Sequence, residues 1–165
     1  IIHKKLIYFL LVIYIYIYMK LELLQLDNLI KYLYAFFIGT FIVVYLLKIP
    51  NLLTGANDLI KEYYYDNFIE STLLDSILIF IYLLIGMYII NKIKINNNLI
   101  HKICIIFITT FIISFIFYII FINNPINDTF FSRWFHKVGL KSGIYDGIII
   151  STVYFIYEYL KNIKQ

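Results

Sequence analysis

Residues 128–161, DTFFSRWFHKVGLKSGIYDGIIISTVYFIYEYLK, decide the architecture of this chain. The stretch begins with an aromatic and basic segment and continues into a long apolar run that carries glycine and aspartate near its start. Such an arrangement is typical of an amphipathic helix at a membrane surface that leads into a membrane-spanning helix. The sequence therefore predicts an integral, multi-pass membrane protein.

The composition of the whole chain supports the same class. Hydrophobic residues make up 62% of the 165 residues and charged residues only 15%, and the mean hydropathy is +0.85. This apolar content exceeds that of soluble domains. The net charge of +4 is spread over loops and ends, so we predict no nucleic-acid binding. Because Cys104 is the single cysteine, no intrachain disulfide and no Cys-x-x-Cys motif can form.

Four apolar runs are long enough to cross a bilayer as helices. We predict an all-α bundle with spans at residues 29–47, 72–90, 99–122 and 143–160. Pro50 and Pro125 follow the first and third runs, where a helix should end. The prediction is a single transmembrane domain, residues 19–165, made of two two-span units at 29–91 and 99–161.

The first 18 residues allow two interpretations. The chain begins with Ile1, and Met19 begins a stretch that resembles a normal start, so residues 1–18 are either read-through or an additional N-terminal hydrophobic segment. The apolar run 6–19 has 14 residues and would reach only about 21 Å as a helix, less than the hydrocarbon core of roughly 30 Å. The sequence does not decide whether this run spans.

A shift of 71 residues aligns residues 58–90 with 129–161 and places Asp75 on Asp146. Each half then consists of a span, an amphipathic interfacial helix and a span that opens with an aspartate. The predicted interfacial residues are Tyr63, Tyr64, Arg133, Trp134, Phe135 and Lys137. Either the similarity is a true duplication, which would relate the units by an axis along the membrane normal, or it is chance similarity between apolar segments.

The two interfacial helices carry opposite charges at the matched positions. Glu62 aligns with Arg133, and the two further pairs are Asp66 with Lys137 and Glu70 with Lys141. If the duplication is real, we expect these helices to lie on one face of the membrane and to form ion pairs across the axis. The alternative is that each lies independently among the lipid headgroups.

Small residues recur every four positions in the last span, at Gly139, Gly143, Gly147 and Ser151. Such a stripe lets another helix approach closely. Thr72 and Ser76 occupy the matched positions of the second span, so the expected partner is that span or a second copy of the protein. Alternatively, the glycines loosen the junction between loop and helix, an interpretation that suits Gly139 best.

Asp75 and Asp146 are the ionisable residues nearest to lying inside spans, which makes them candidates for function. Three roles are open: an anion in the first turn of a helix, where the dipole favours it, a polar contact between the second and fourth spans, or an ion or proton site. The chain has no Gly-rich phosphate loop, no His-x-x-x-His pair and no carboxylate cluster. We therefore predict no catalysis, no metal and no cofactor, and the sequence identifies no small-molecule substrate.

Residues 134–142, WFHKVGLKS, together with Asp146 and the isoleucines at 148–150, form a recognisable pattern. It resembles a pattern in uncharacterised multi-pass membrane proteins of large nucleocytoplasmic DNA viruses, in which an aromatic residue, Gly-Leu, a small residue and an aspartate precede an Ile-rich final span. The resemblance implies a viral inner membrane or a host internal membrane, and incorporation into particles. It implies no catalytic residues.

These patterns lead to two main functional hypotheses. The first is a structural or assembly protein of a viral or internal membrane, which oligomerises or binds other membrane or capsid proteins through the glycine stripe and interfacial helices. The alternative is a small transporter or channel subunit in which Asp75 and Asp146 meet near the pseudo-axis. An accessory subunit of an organellar respiratory complex fits the composition as well, and a membrane enzyme is the least supported class.

Overall fold

A computed structural model describes residues 25–93 and 98–163. The predictions for residues 1–18 and for the apolar run 6–19 lie outside the described residues. Within the described ranges every regular element is a helix and none is a strand. The all-α class is therefore confirmed.

The helices are here numbered in chain order. Their bounds are α1 Leu26–Thr40, which continues as a π-helical segment Phe41–Leu46; α2 Ile49–Thr54; α3 Asn57–Lys61, which continues as a π-helical segment Glu62–Asp66; α4 Phe68–Ile93; α5 Leu99–Ile122; α6 Phe130–Val138; and α7 Lys141–Asn162. Lys48 separates the segment Phe41–Leu46 from α2 and adopts a left-handed backbone conformation with φ +50°. Pro50 then lies in the first turn of α2, where its missing N–H would have no intrahelical partner.

In the part of the chain that the structure describes, three helices are long and apolar enough to cross a membrane: Leu26–Leu46, Phe68–Ile93 and Leu99–Ile122. They agree with the first three predicted spans and with an integral membrane protein. Helix α4 presents an apolar stripe to the outside, with side chains every four residues at Ile69, Leu73, Ile77 and Ile81. Helix α5 does the same with Ile108, Ile112, Ile116 and Ile120. Exposed stripes of this kind are suited to contact with lipid.

Helix α7 covers the fourth predicted span but is not among the three apolar helices. It packs chiefly against α5 and α1, and its Val153, Tyr154 and Tyr157 are at most 2% exposed. A helix surrounded by protein can carry polar side chains that a lipid-facing helix cannot, because neighbouring helices supply hydrogen-bond partners. The side of α7 that packs against α5 and α1 can therefore carry the polar residues that lower its hydropathy.

Candidate functional site

The segment 57–66 and helix α6 contact each other through ion pairs and stacked rings. The Arg133 guanidinium donates hydrogen bonds to both carboxylate oxygens of Glu62, one of them from Nη1 to Oε2 at 2.8 Å. The Lys137 ammonium donates to both oxygens of Asp58, at 2.5 and 2.7 Å. The expected pair between Glu62 and Arg133 is therefore present.

The other two expected ion pairs are not formed. Lys137 pairs with Asp58 rather than with Asp66, and within the described ranges no salt bridge joins Glu70 to Lys141. The reason is the direction of the two segments. From the Glu62–Arg133 contact, the next pair lies one turn earlier on one segment and one turn later on the other, so the segments run antiparallel. Symmetry-matched positions can then meet only where the segments cross.

Four of the predicted interfacial residues are covered by other parts of the protein, and their place at the membrane interface stays a prediction. Tyr63, Tyr64, Trp134 and Phe135 are only 6–8% exposed. Tyr63 stacks on Phe130 with 4.2 Å between ring centroids, and this contact between the two segments covers the aromatic faces. Arg133 and Lys137 remain partly exposed, at 35% and 46% of their side-chain surface. The aromatic residues thus hold the two segments together.

The ion pairs shift the titration of both acids. The guanidinium of Arg133 lowers the pKa of Glu62 through its hydrogen bonds, and the ammonium of Lys137 lowers the pKa of Asp58 in the same way. Because these pKa values lie below those of the unfolded chain, the pairs contribute stability above about pH 4 and lose it as the pH falls through the lowered values.

Reversing one charge of the Glu62–Arg133 pair should destabilise the folded protein, whereas reversing both charges should not. We expect Glu62→Arg to lower the melting temperature in detergent by a few degrees, because two guanidinium groups would then face each other; adding Arg133→Glu should restore much of the loss. The matched control is Glu70→Lys with Lys141→Glu, two exposed residues that form no salt bridge with each other. If the changes in melting temperature of the two single variants add up in the double variant for both pairs of residues, Glu62 and Arg133 are not coupled.

The glycine stripe of α7 packs against α5. A Cβ atom added at Gly143 would lie 3.1 Å from Phe111, and one added at Gly147 would lie 2.7 Å from Phe107. The nearest neighbours of these two glycines thus belong to α5 and are not Thr72 or Ser76 of the second span; contact of the stripe with a second copy of the protein stays a prediction. The gaps left by these glycines are filled chiefly by phenylalanine rings of α5, with the small residue Ser114 beside Gly143.

The remaining members of the predicted packing set have other environments. Gly139 ends α6 with φ +62° and no neighbour within 4 Å of an added Cβ, so it serves the junction between α6 and α7. The Ser151 hydroxyl is buried without a hydrogen-bond partner among the described residues. Ser76 donates to the carbonyl of Leu73 at 2.8 Å, and Thr72 is partly buried.

Asp75 and Asp146 lie beyond the first turns of their helices, which begin at Phe68 and Lys141. Stabilisation of these carboxylates by the helix dipole is therefore less supported, since the effect of the dipole is confined to the first turn. Instead, both carboxylates accept side-chain hydrogen bonds. The Tyr63 hydroxyl donates to Asp75 Oδ1 at 2.7 Å, and the Ser114 hydroxyl donates to Asp146 Oδ2 at 2.6 Å.

The two aspartates line the same cavity, which has a volume of about 180 Å³. Its walls come from the segment 57–66 and from α4, α5, α6 and α7, and most are aromatic or aliphatic side chains. Tyr64 and Tyr145, whose hydroxyls lie 2.5 Å apart, form part of the wall beside Trp134. The sequence could not indicate this cavity, because its lining residues are dispersed over much of the chain.

No lysine or arginine of the described ranges pairs with either aspartate. The salt bridges within those ranges use Asp27, Asp58, Glu62 and Glu158 as their acids. A carboxylate in such a setting needs a compensating positive charge or a proton. The described residues also contain no cluster of three or more His, Cys, Asp and Glu side chains that could hold a metal ion.

The resemblance to viral membrane proteins stays a prediction, and so do a viral or internal membrane as location and capsid proteins as partners. The cavity and its two aspartates are the part of the molecule from which a function can be argued. No family model, no curated protein and no solved structure matches this chain.

Proposed function

We propose that this chain is a small membrane transporter or channel subunit that binds a cation between Asp75 and Asp146. The observation that carries the proposal is that two carboxylates from different helices line one cavity without a lysine or arginine partner in the described part of the chain. Unpaired acids at membrane depth are costly, and they typically mark ion or proton pathways. A translocated cation would supply the missing charge.

The proposal includes α7 as a fourth span. Its 22 residues give a length of about 33 Å, enough for a hydrocarbon core of roughly 30 Å. Gly143 lies beside Phe111, and Glu158 lies 3.8 Å from Lys102. These contacts support a course of α7 along most of α5, in the opposite direction.

The proposal also includes two related units, residues 29–91 and 99–161. Antiparallel pairing of the segment 57–66 with α6, centred on Glu62 and Arg133, is what a twofold axis between the units would produce. The matched residues Asp75 and Asp146 then approach the axis from opposite sides. This arrangement explains why both reach one cavity.

A structural or assembly role has less support. That hypothesis relied on the glycine stripe as a docking surface, but Gly143 and Gly147 already contact Phe111 and Phe107 of the same chain. The exposed isoleucine stripes of α4 and α5 are explained by lipid contact. No catalytic role is proposed.

The proposal can be tested by reconstituting the purified protein into liposomes and measuring tracer uptake of sodium, potassium and a small organic ammonium ion under an applied membrane potential. We expect saturable uptake of at least one cation, about tenfold or more above protein-free liposomes. Folded, monodisperse protein that transports none of them would contradict the proposal. If the chain, purified from native membranes in mild detergent, instead carries coat or scaffold proteins with it, the structural role gains support.

A further inference from the structure

We infer that the cavity selects an organic ammonium ion with a small apolar group, and not a bare metal ion. The inference rests on the proposed function, because it names the class of cation that Asp75 and Asp146 would bind. It concerns binding, however, and can be tested apart from transport.

The aromatic wall of the cavity is suited to an organic cation. Trp134 is 6% exposed and Tyr145 is 4% exposed, and their rings meet edge to face, with 6.2 Å between centroids and 68° between planes. The hydrogen bond between the Tyr64 and Tyr145 hydroxyls fixes two of the rings in place. Indole and phenol faces attract cations, above all weakly hydrated alkylammonium ions, through their quadrupoles. Two rings in edge-to-face contact, with two carboxylates lining the same cavity, form a suitable enclosure for such an ion.

The volume of the cavity also suits an organic ion better than a metal ion. A cavity of about 180 Å³ is somewhat larger than a dry cavity of about 150 Å³ that admits benzene. An ammonium ion with several carbon atoms would fill it and bury its apolar part against aliphatic residues such as Ile149 and Ile150. A sodium or potassium ion would leave most of the cavity to water, in contact with a largely apolar wall.

The side chains around the two aspartates provide few oxygen ligands for a metal ion. Hard metal cations such as calcium take six to eight oxygen atoms in close coordination. Here one oxygen of Asp75 accepts from Tyr63 and one of Asp146 accepts from Ser114, and the described residues hold no cluster of three metal-binding side chains. Two carboxylates with aromatic neighbours are sufficient for an ammonium ion, which needs charge compensation more than coordination.

Trp134 provides a direct probe, because it is the only tryptophan in the sequence and it lines the cavity. The experiment is a titration of the protein in lipid nanodiscs with choline, followed by tryptophan fluorescence. The reference ligand is 3,3-dimethyl-1-butanol, which has the shape of choline with a neutral carbon in place of nitrogen. We expect a saturable change with choline and binding of the neutral ligand about tenfold weaker or worse.

Two sets of variants measure separately how the carboxylate charge and the indole ring contribute to choline binding. Asp146→Asn should weaken choline binding about tenfold or more, whereas Asp66→Asn, which makes the same change at an exposed residue, should leave it unaltered. Trp134→Leu, measured with tritiated choline, should weaken binding as well, while Trp134→Phe should retain part of it because a ring remains. Tritiated choline binding is a readout that does not depend on the indole.

The results of these experiments distinguish failure of the inference about ammonium binding from failure of the proposed transport function. Equal binding of choline and its neutral counterpart would overturn the inference, since the cavity would then recognise shape alone. If choline leaves the fluorescence unchanged while sodium or potassium flux depends on Asp75 and Asp146, the inference is wrong and the proposed function stands. If there is neither binding nor flux, both are wrong.

Discussion

Replacing Asp146 with asparagine is expected to reduce cation flux through the reconstituted protein about 100-fold or more while the protein still folds. Truncating one partner of a buried, hydrogen-bonded charge pair typically weakens binding by about 2–5 kcal/mol, and each 1.4 kcal/mol corresponds to about a factor of ten. Asparagine has nearly the same shape as aspartate and can still accept the hydrogen bond from Ser114. The measurement is the initial rate of tracer uptake, normalised to the amount of incorporated protein.

Two comparisons make this result specific. Asp66→Asn makes the same chemical change at an exposed residue outside the cavity, so it should transport like the original protein. Asp75→Asn should resemble Asp146→Asn, because both carboxylates line the cavity. If Asp75→Asn and Asp146→Asn both retain full flux, the cation does not pass between these residues.

The spans were the most predictable part of the fold. The predicted spans 29–47 and 72–90 correspond to Leu26–Leu46 and Phe68–Ile93, and the third coincides with Leu99–Ile122. Continuous apolar runs identify such helices because a lipid-facing helix must be apolar along its whole length. The predicted segment 143–160 coincides with most of α7, but its packing against α1 and α5 could not be predicted, because hydropathy does not identify which helices are neighbours.

The contacts between helices were less predictable. The four-residue spacing at Gly143 and Gly147 correctly indicates a close approach, but it does not identify the phenylalanines of α5 that fill the gaps. Gly39 and Gly86 were missed, because neither belongs to a repeated pattern of small residues. Their neighbours, Val153 and Ile106, become apparent only in three dimensions.

The candidate site was predictable in part. Alignment of the two halves places Asp75 and Asp146 at equivalent positions, and one open interpretation brought them together near an axis. The burial of Trp134 and Phe135 could not be foreseen, since aromatic residues beside basic ones are equally typical of a headgroup anchor. What decides their location is the pairing of the segment 57–66 with α6, a contact between residues far apart in sequence.

Replacing Gly39 with leucine is expected to prevent the bundle from forming. A Cβ atom at this position would lie 2.8 Å from Cγ2 of Val153 and 3.4 Å from the backbone nitrogen and Cα of Val153. Val153 is completely buried, so its side chain has little room to move. One added methyl group should cost about 1–3 kcal/mol, and leucine adds three more carbon atoms that only separation of α1 from α7 could accommodate. Size-exclusion chromatography and thermal unfolding in detergent would measure the loss.

Gly55 provides the control, because an added Cβ there meets nothing within 4 Å although φ is +67°. Alanine and leucine at Gly55 should therefore cost about the same, namely the backbone strain of roughly 1–2 kcal/mol, whereas at Gly39 the cost should rise steeply with side-chain size. Val153→Ala should also recover stability in the Gly39→Ala background, since it removes the methyl group that the new Cβ would meet. If Gly39→Leu folds as well as Gly55→Leu, α1 and α7 are not in close contact at this point, and the packing that encloses α7 would have to be different.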